Sequence, residues 1–246
     1  MVFVFFIYGL AFFTLGLSIL VYPKKGSAFR LANKLWLIAA FGIAHGVSEW
    51  IDMFILIQLP TESTYLKIIH LSILPVSFLM LLQFGSEMIT DITGKYSGLK
   101  AFPLAMPAAW VIIAIATAGN NRFPVEEITA RYILGIPGIF LTSIALALEA
   151  SEYRKAKIPH VGRYLWLAAV TFFFYGFFSG LVVPEADFFP ASVLNYRWFI
   201  DRVGAPVQIF RALSAVFVTF SMIRVLSVFD WETRTKLAAS EKKPGP

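Results

Sequence analysis

The sequence predicts an all-α integral membrane protein, a seven-transmembrane-helix bundle with its N-terminus outside and its C-terminus in the cytoplasm. Three observations carry that prediction. Of 246 residues, 58% are hydrophobic and only 15% are charged, against about 25% charged in soluble domains, and mean hydropathy is +0.73. Seven apolar runs follow one another, each near the roughly 20 residues a helix needs to cross a bilayer core. The basic residues then alternate between the links that join those runs.

The first run, 2–22, starts at Met1 with no basic segment before it and no small-residue cleavage site after it. It therefore reads as a retained helix rather than a signal peptide. The second and third runs, 35–58 and 65–89, carry ionisable residues discussed below. The fourth, 101–118, has Pro103 and Pro107 in its first turns, a position where helices tolerate proline. The fifth, sixth and seventh are 130–149, 163–183 and 205–228. The short alternating segments of a β-barrel are absent. Between the last two runs, the link 184–204 holds Pro184, Phe188, Phe189, Pro190, Trp198 and Phe199, and reads either as an interfacial anchor or as a lid.

Charge placement sets the expected orientation. Lys24, Lys25, Arg30 and Lys34 follow run one, Lys95 and Lys100 follow run three, and Arg154, Lys155, Lys157 and Arg163 follow run five. With Arg224, Arg234, Lys236, Lys242 and Lys243, 15 of the 21 Lys and Arg fall on one side. Basic residues mark the cytoplasmic face. The net charge of +6 thus reflects topology and not a nucleic-acid surface. Zero cysteines exclude disulfides, thiolate metal sites and cysteine nucleophiles. No internal repeat supports a two-halves transporter. No HExxH, GxSxG or glycine-rich phosphate loop is present, so no catalytic site is expected within these residues.

Ionisable groups at mid-membrane are costly, by about 2.5–3.5 kcal/mol on insertion scales. Run two nevertheless carries His45, Glu49 and Asp52, and positions i, i+4 and i+7 share one helical face. His70, Arg131, Gln208 and Arg211 reach the outer half from runs three, five and seven. Glu49 and Arg211 fall at similar depth and are expected to pair across the bundle. Two readings stay open, a network that only fixes helix packing and a ligand or proton site. A third makes His45 and His70 ligands of haem b or of a divalent metal, with Gly42 and Gly46 leaving room beside them. A transporter would need polar groups in the inner halves, where only Glu87 and Glu149 stand near the boundary. His160 reads as a solvated loop residue.

Four segments add a resemblance. AAFGIAHGVSEWIDMF (39–54), RYILGIPG (131–138), GLVVPEADFFPASVLN (180–195) and GAPVQIFRALSAVFVTFSMIRVLSVFDWE (204–232) together resemble the N-terminal membrane region of bacterial sensor histidine kinases and diguanylate cyclases. The likeness runs from Tyr8 to Trp231. It implies a multi-pass sensor of the inner (plasma) membrane that feeds a cytoplasmic output domain in the same parent chain. It singles out His45, Glu49 and Trp50 of HGVSEW, with Gln208 and Arg211, for an unknown small ligand. No phosphoacceptor, ATP-binding or GGDEF sequence follows Trp231, so the chain reads as the sensor part of a longer protein or as a stand-alone homologue. Residues 1–228 form the expected sensor domain and 229–246 a cytoplasmic signalling helix. Val225, Leu226, Phe229, Thr233 and Leu237 approximate an apolar stripe, which two copies would pair in a homodimer.

Overall fold

The computed structural model describes residues 1–22, 29–58, 64–117 and 122–241, with backbone alone at 122, 228 and 230–241. Twelve helical elements account for nearly all of it: α1 (Val2–Val21), α2 (Arg30–Ile57), α3 (Thr64–Thr93), a 3₁₀ turn (Ser97–Ala101), α4 (Phe102–Thr117), α5 (Arg122–Ala130), a π turn (Arg131–Gly135), α6 (Ile136–Lys155), α7 (Pro159–Gly176), a second π turn (Phe177–Leu181), α8 (Tyr196–Val203) and α9 (Val207–Glu241). No strand is present among the described residues beyond one isolated bridge between Val183 and Asn195. Seven stretches are long and apolar enough to span a membrane: Val2–Val21, Arg30–Ile57, Thr64–Thr93, Ser97–Thr117, Phe123–Lys155, Pro159–Leu181 and Val207–Ser227.

Six of the spans close a ring. α1 packs on α2, α2 on α3, α3 on α6, α6 on α7, α7 on α9 and α9 back on α1. The span containing α4 stands outside this ring, touching α3, α5 and the first π turn, and Ala114 is its one buried residue. Interior positions are filled by Phe12, Phe41, Phe78, Phe84 and Phe172. Met1 and Tyr22 lie at opposite ends of α1 and are used below to name the two ends of the bundle.

Five spans are longer than the apolar pattern predicts, and the second, third and fifth gain the most. α2 begins at Arg30 rather than 35, because Arg30 and Lys34 find acidic and carbonyl partners within the bundle. Lys34 pairs with Glu87 and, at 3.5 Å, with Asp91. Arg30 donates to the Asp91 carbonyl oxygen at 2.8 Å and lies 3.9 Å from Glu149. α3 accordingly runs to Thr93. The fifth span extends at both ends, to Phe123 and Lys155, which brings Glu126 and Glu127 into it. Lys24, Lys25, Lys242 and Lys243 lie outside the described residues, and the side chains of Thr233, Arg234, Lys236 and Leu237 are outside the described side chains.

Glycines govern the α1–α2 crossing. A Cβ on Gly42 would stand 2.6 Å from the Phe12 carbonyl oxygen and 2.9 Å from the Gly16 nitrogen, and one on Gly46 2.7 Å from the Gly9 carbonyl oxygen. Small residues let two membrane helices approach to backbone contact. Gly42 and Gly46 therefore abut α1, which fills the space beside these two glycines. Since backbone on both sides cannot yield cheaply, Gly42→Val is expected to destabilise the bundle by about 1–3 kcal/mol. Gly98→Ala is the control, because no atom lies within 4 Å of a Cβ there. Reversible unfolding in mixed micelles measures both; equal stability of the two variants contradicts the crossing.

Candidate functional site

At the Met1 end the ring opens into two adjoining cavities of about 340 and 210 Å³, which share Asp52, Ile55, Glu127 and Pro184 as walls. The larger reaches Tyr196, Gln208 and Arg211, and the smaller reaches His70 and Lys67. Two residues of the 184–204 link, Pro184 and Tyr196, form part of the cavity walls. Phe199 is 3% exposed and packs edge-on to Phe178 and Phe210, while Phe189 is 80% exposed. Asn195 caps α8 by accepting from the Trp198 amide at 2.9 Å, and Gly204, at φ 75°, turns the chain out of α8 as a left-handed C-cap does.

Two buried arginines organise this end. The last carbonyls of a helix lack intrahelical donors and carry partial negative charge. α7 ends in the π turn Phe177–Leu181, and its carbonyls receive guanidinium groups from two other spans. Arg211 of α9 donates Nε to the Phe178 oxygen at 2.9 Å, Nη2 to the Val182 oxygen at 2.6 Å and Nη1 to the Tyr196 hydroxyl at 3.3 Å. Arg131 donates Nη1 to the Ser179 oxygen at 3.2 Å and to its hydroxyl at 3.1 Å. Its Nε and Nη2 hold Glu127 at 3.0 and 2.9 Å. Arg131 is 1% and Arg211 2% exposed. Arg131 itself opens a π turn, which precedes Pro137, a residue with no N–H to return to Ile133.

The expected Glu49–Arg211 pair is not formed. Arg211 is engaged by carbonyls instead, and no ion pair links it to Glu49 among the described residues. Glu49 is 1% exposed; its Oε1 lies 3.3 Å from His45 Nε2, but neither oxygen has a hydrogen-bond donor. Asp52, one turn further along α2, places Oδ1 3.4 Å from His70 Nε2.

Deeper in the ring, four helices meet at His45. Nδ1 lies 2.9 Å from Ser77 Oγ, Nε2 lies 2.6 Å from the Tyr175 hydroxyl, and Tyr175 is 2.7 Å from the Tyr8 hydroxyl. Ser77 donates to the Leu74 carbonyl oxygen at 2.7 Å, so its Oγ accepts from His45 Nδ1–H. Nε2 is then the acceptor for Tyr175, and Tyr175 accepts from Tyr8. With both ring nitrogens engaged, an iron or zinc at His45 would first have to break these bonds. No group of three His, Asp or Glu side chains suited to a metal occurs among the described residues.

The sequence-derived site residues divide accordingly. His45, Glu49, Asp52, His70, Arg131, Gln208 and Arg211 all line the polar interior or the cavities at the Met1 end. Trp50 does not: it donates Nε1 to the Phe6 carbonyl oxygen at 3.2 Å and packs on Phe13, so it belongs to the α1–α2 seam. Tyr8, Ser77, Tyr175, Glu127, Ser179 and Tyr196 complete the site without having been singled out by sequence. Tyr8 and Tyr175 pass as ordinary aromatics within apolar runs, Tyr196 falls in the link between the last two runs, and Glu127 lies before the apolar window that marks its span.

Lysine in place of Arg211 retains the charge but cannot span two carbonyls. Each buried acceptor left bare costs roughly 1–3 kcal/mol, so Arg211→Lys is expected to lower stability by about that amount and to speed amide hydrogen exchange in 177–183. Exchange identical to the parent protein would contradict the carbonyl clamp. Comparison of the chain with protein-family models, curated proteins and solved structures returns no match.

Proposed function

We propose that the chain is the input module of a bacterial membrane signalling protein, sensing a stimulus in the cavities at the Met1 end and passing it inward along α9. In this reading the Met1 end faces outside, as the distribution of basic residues favours, and the bundle sits in the inner (plasma) membrane. The output domain, a histidine kinase or diguanylate cyclase, follows in the parent chain, and two copies pair through their last helices. The four-segment resemblance supports that assignment.

The observation that carries the proposal is the continuity of α9. Arg211, which lines the larger cavity, and Glu241 belong to one unbroken helix of 35 residues, about 52 Å long at ~1.5 Å per residue. A hydrocarbon core is only about 30 Å thick, so α9 extends well past the span that ends at Ser227. Val225, Leu226 and Phe229 are buried on its inward stripe. A helix fixed at one end to a cavity wall and free of breaks is a mechanical element with which a two-state bundle can bias an output.

A gap in the polar interior, between His45 and the Lys34–Glu87 cluster at the Tyr22 end, also favours sensing over transport. Beyond His45 the interior is closed by Phe12, Phe41, Phe78 and Phe172. Fusion of the full chain, after Glu241, to a histidine kinase core in a series of helical phases tests the proposal. Arg211→Gln is expected to shift kinase output, normalised to the amount of protein in the membrane, about 5-fold or more, the size of a typical coupling free energy. Leu213→Ala, on the exposed face of α9, is expected to leave it unchanged. Equal outputs from the two variants in every phase contradict the reading.

A further inference from the structure

We infer that the species this polar interior takes up is the proton, held between Glu49 and His45 and exchanged with the Met1 end alone. Glu49 carries the argument. Its carboxyl group is buried and neither oxygen has a hydrogen-bond donor from the protein, and burying a polar group without such a bond is costly. The nearest polar atom is His45 Nε2, 3.3 Å from Oε1. The directed chain from Tyr8 through Tyr175 to His45 and Ser77 leaves that nitrogen as a lone-pair acceptor. One proton therefore has two adjacent seats, Glu49 as a carboxylic acid or His45 as an imidazolium beside a carboxylate.

The approach is one-sided. Asp52 stands one turn from Glu49 toward the cavities and meets His70 at 3.4 Å, and both line the smaller cavity. In the other direction α2 carries no ionisable residue from Leu35 to Ala44, and neither α3 from Phe78 to Ser86 nor α6 from Ile136 to Leu148 supplies one. The charged and titratable groups that act on Glu49 are Tyr8 on α1, His45 and Asp52 on α2, Arg131 in the first π turn and Tyr175 on α7, while His70 on α3, Glu127 on α5 and Arg211 on α9 stand around the adjoining cavities. Both arginines are already bonded to carbonyls, with Glu127 bound to Arg131, and neither forms an ion pair with Glu49 among the described residues.

Moving the proton from Glu49 to Nε2 has a structural consequence. Nε2–H then donates to Glu49 Oε1, and the Tyr175 hydroxyl loses its acceptor and turns to the Tyr8 oxygen. The Tyr8 hydroxyl, formerly the donor, must find another acceptor. Tyr8 lies one turn from Ala11, whose carbonyl accepts from Thr219 of α9 at 2.9 Å. On the signalling reading, this α1–α9 contact is the route by which the Tyr8 rearrangement would reach α9. That last link rests on the signalling reading; proton uptake does not.

Infrared difference spectroscopy on the full chain in phosphatidylcholine vesicles tests the inference. The parent protein is expected to show a protonated-carboxyl carbonyl band that is lost as the pH rises, absent in the isosteric Glu49→Gln and displaced but present in Glu49→Asp. In His45→Gln the band is expected to remain with a shifted midpoint. With oriented chains, acidifying the medium at the Met1 end restores the band, and acidifying the opposite side alone does not. A spectrum in which Glu49→Gln removes no carboxyl band, or a response equal from both sides, overturns the inference. An intact Glu49 titration combined with kinase-fusion output that ignores pH overturns the signalling reading instead, which separates the two failures.

Discussion

The interaction on which the rest depends is the capture of helix-end carbonyls by two buried guanidinium groups. α7 ends inside the bundle, where water cannot satisfy its last carbonyl oxygens, and Arg131 and Arg211 take that role. Fixed, aligned carbonyl dipoles at a helix C-terminus stabilise cations, so Arg211 is held without a carboxylate. The same bonds tie α9 and the α5–α6 span to the end of α7, and thus lock three spans where the cavities open. A further result is that Glu49 is left without its expected counterion. Of the other outer charges, Arg131 pairs with Glu127 and Asp52 stands 3.4 Å from His70, whereas Glu49 has only His45 beside it, and this is the seat we assign to the proton.

From that clamp inward, polarity falls off in steps. The cavities hold Asp52, Glu127, His70 and Gln208; the next layer holds Glu49; the last holds His45 with two tyrosines and a serine. Aromatic rings then close the interior. Such a dead-ended ladder suits a module that registers a condition at one end of the bundle without letting ions through. α1 and α7 each touch both the ladder and α9, and in the proposed signalling role a rearrangement at His45 would reach the last helix through these packed side chains.

Much of the bundle was legible in the sequence because the bilayer imposes a simple rule on length and apolarity. Seven spans follow from it directly, as does the single polar face of α2. The span ends were less legible, since Arg30, Lys34 and Glu127 enter helices only because partners on other elements neutralise them. The partners of Arg211 were invisible for a different reason. Main-chain carbonyls have no sequence signature, and a π turn at Phe177–Leu181 is not announced by residue type. Depth along a helix can suggest which charges are level, as it did for Glu49 and Arg211, but it does not reveal a competing backbone acceptor. Glycine placement was similarly ambiguous: Gly42 and Gly46 read as room beside His45, whereas α1 fills that room.

The charge exchange between positions 49 and 211 tests the central claim most directly. If Arg211 acts by holding the carbonyls of Phe178 and Val182, an arginine at 49 cannot replace it. The combined Glu49→Arg and Arg211→Glu variant is then expected to unfold in mixed micelles at least as readily as the less stable of the two single variants. Recovery of the double variant toward the stability of the parent protein would show that the two side chains act as a charge pair, and would contradict the carbonyl clamp.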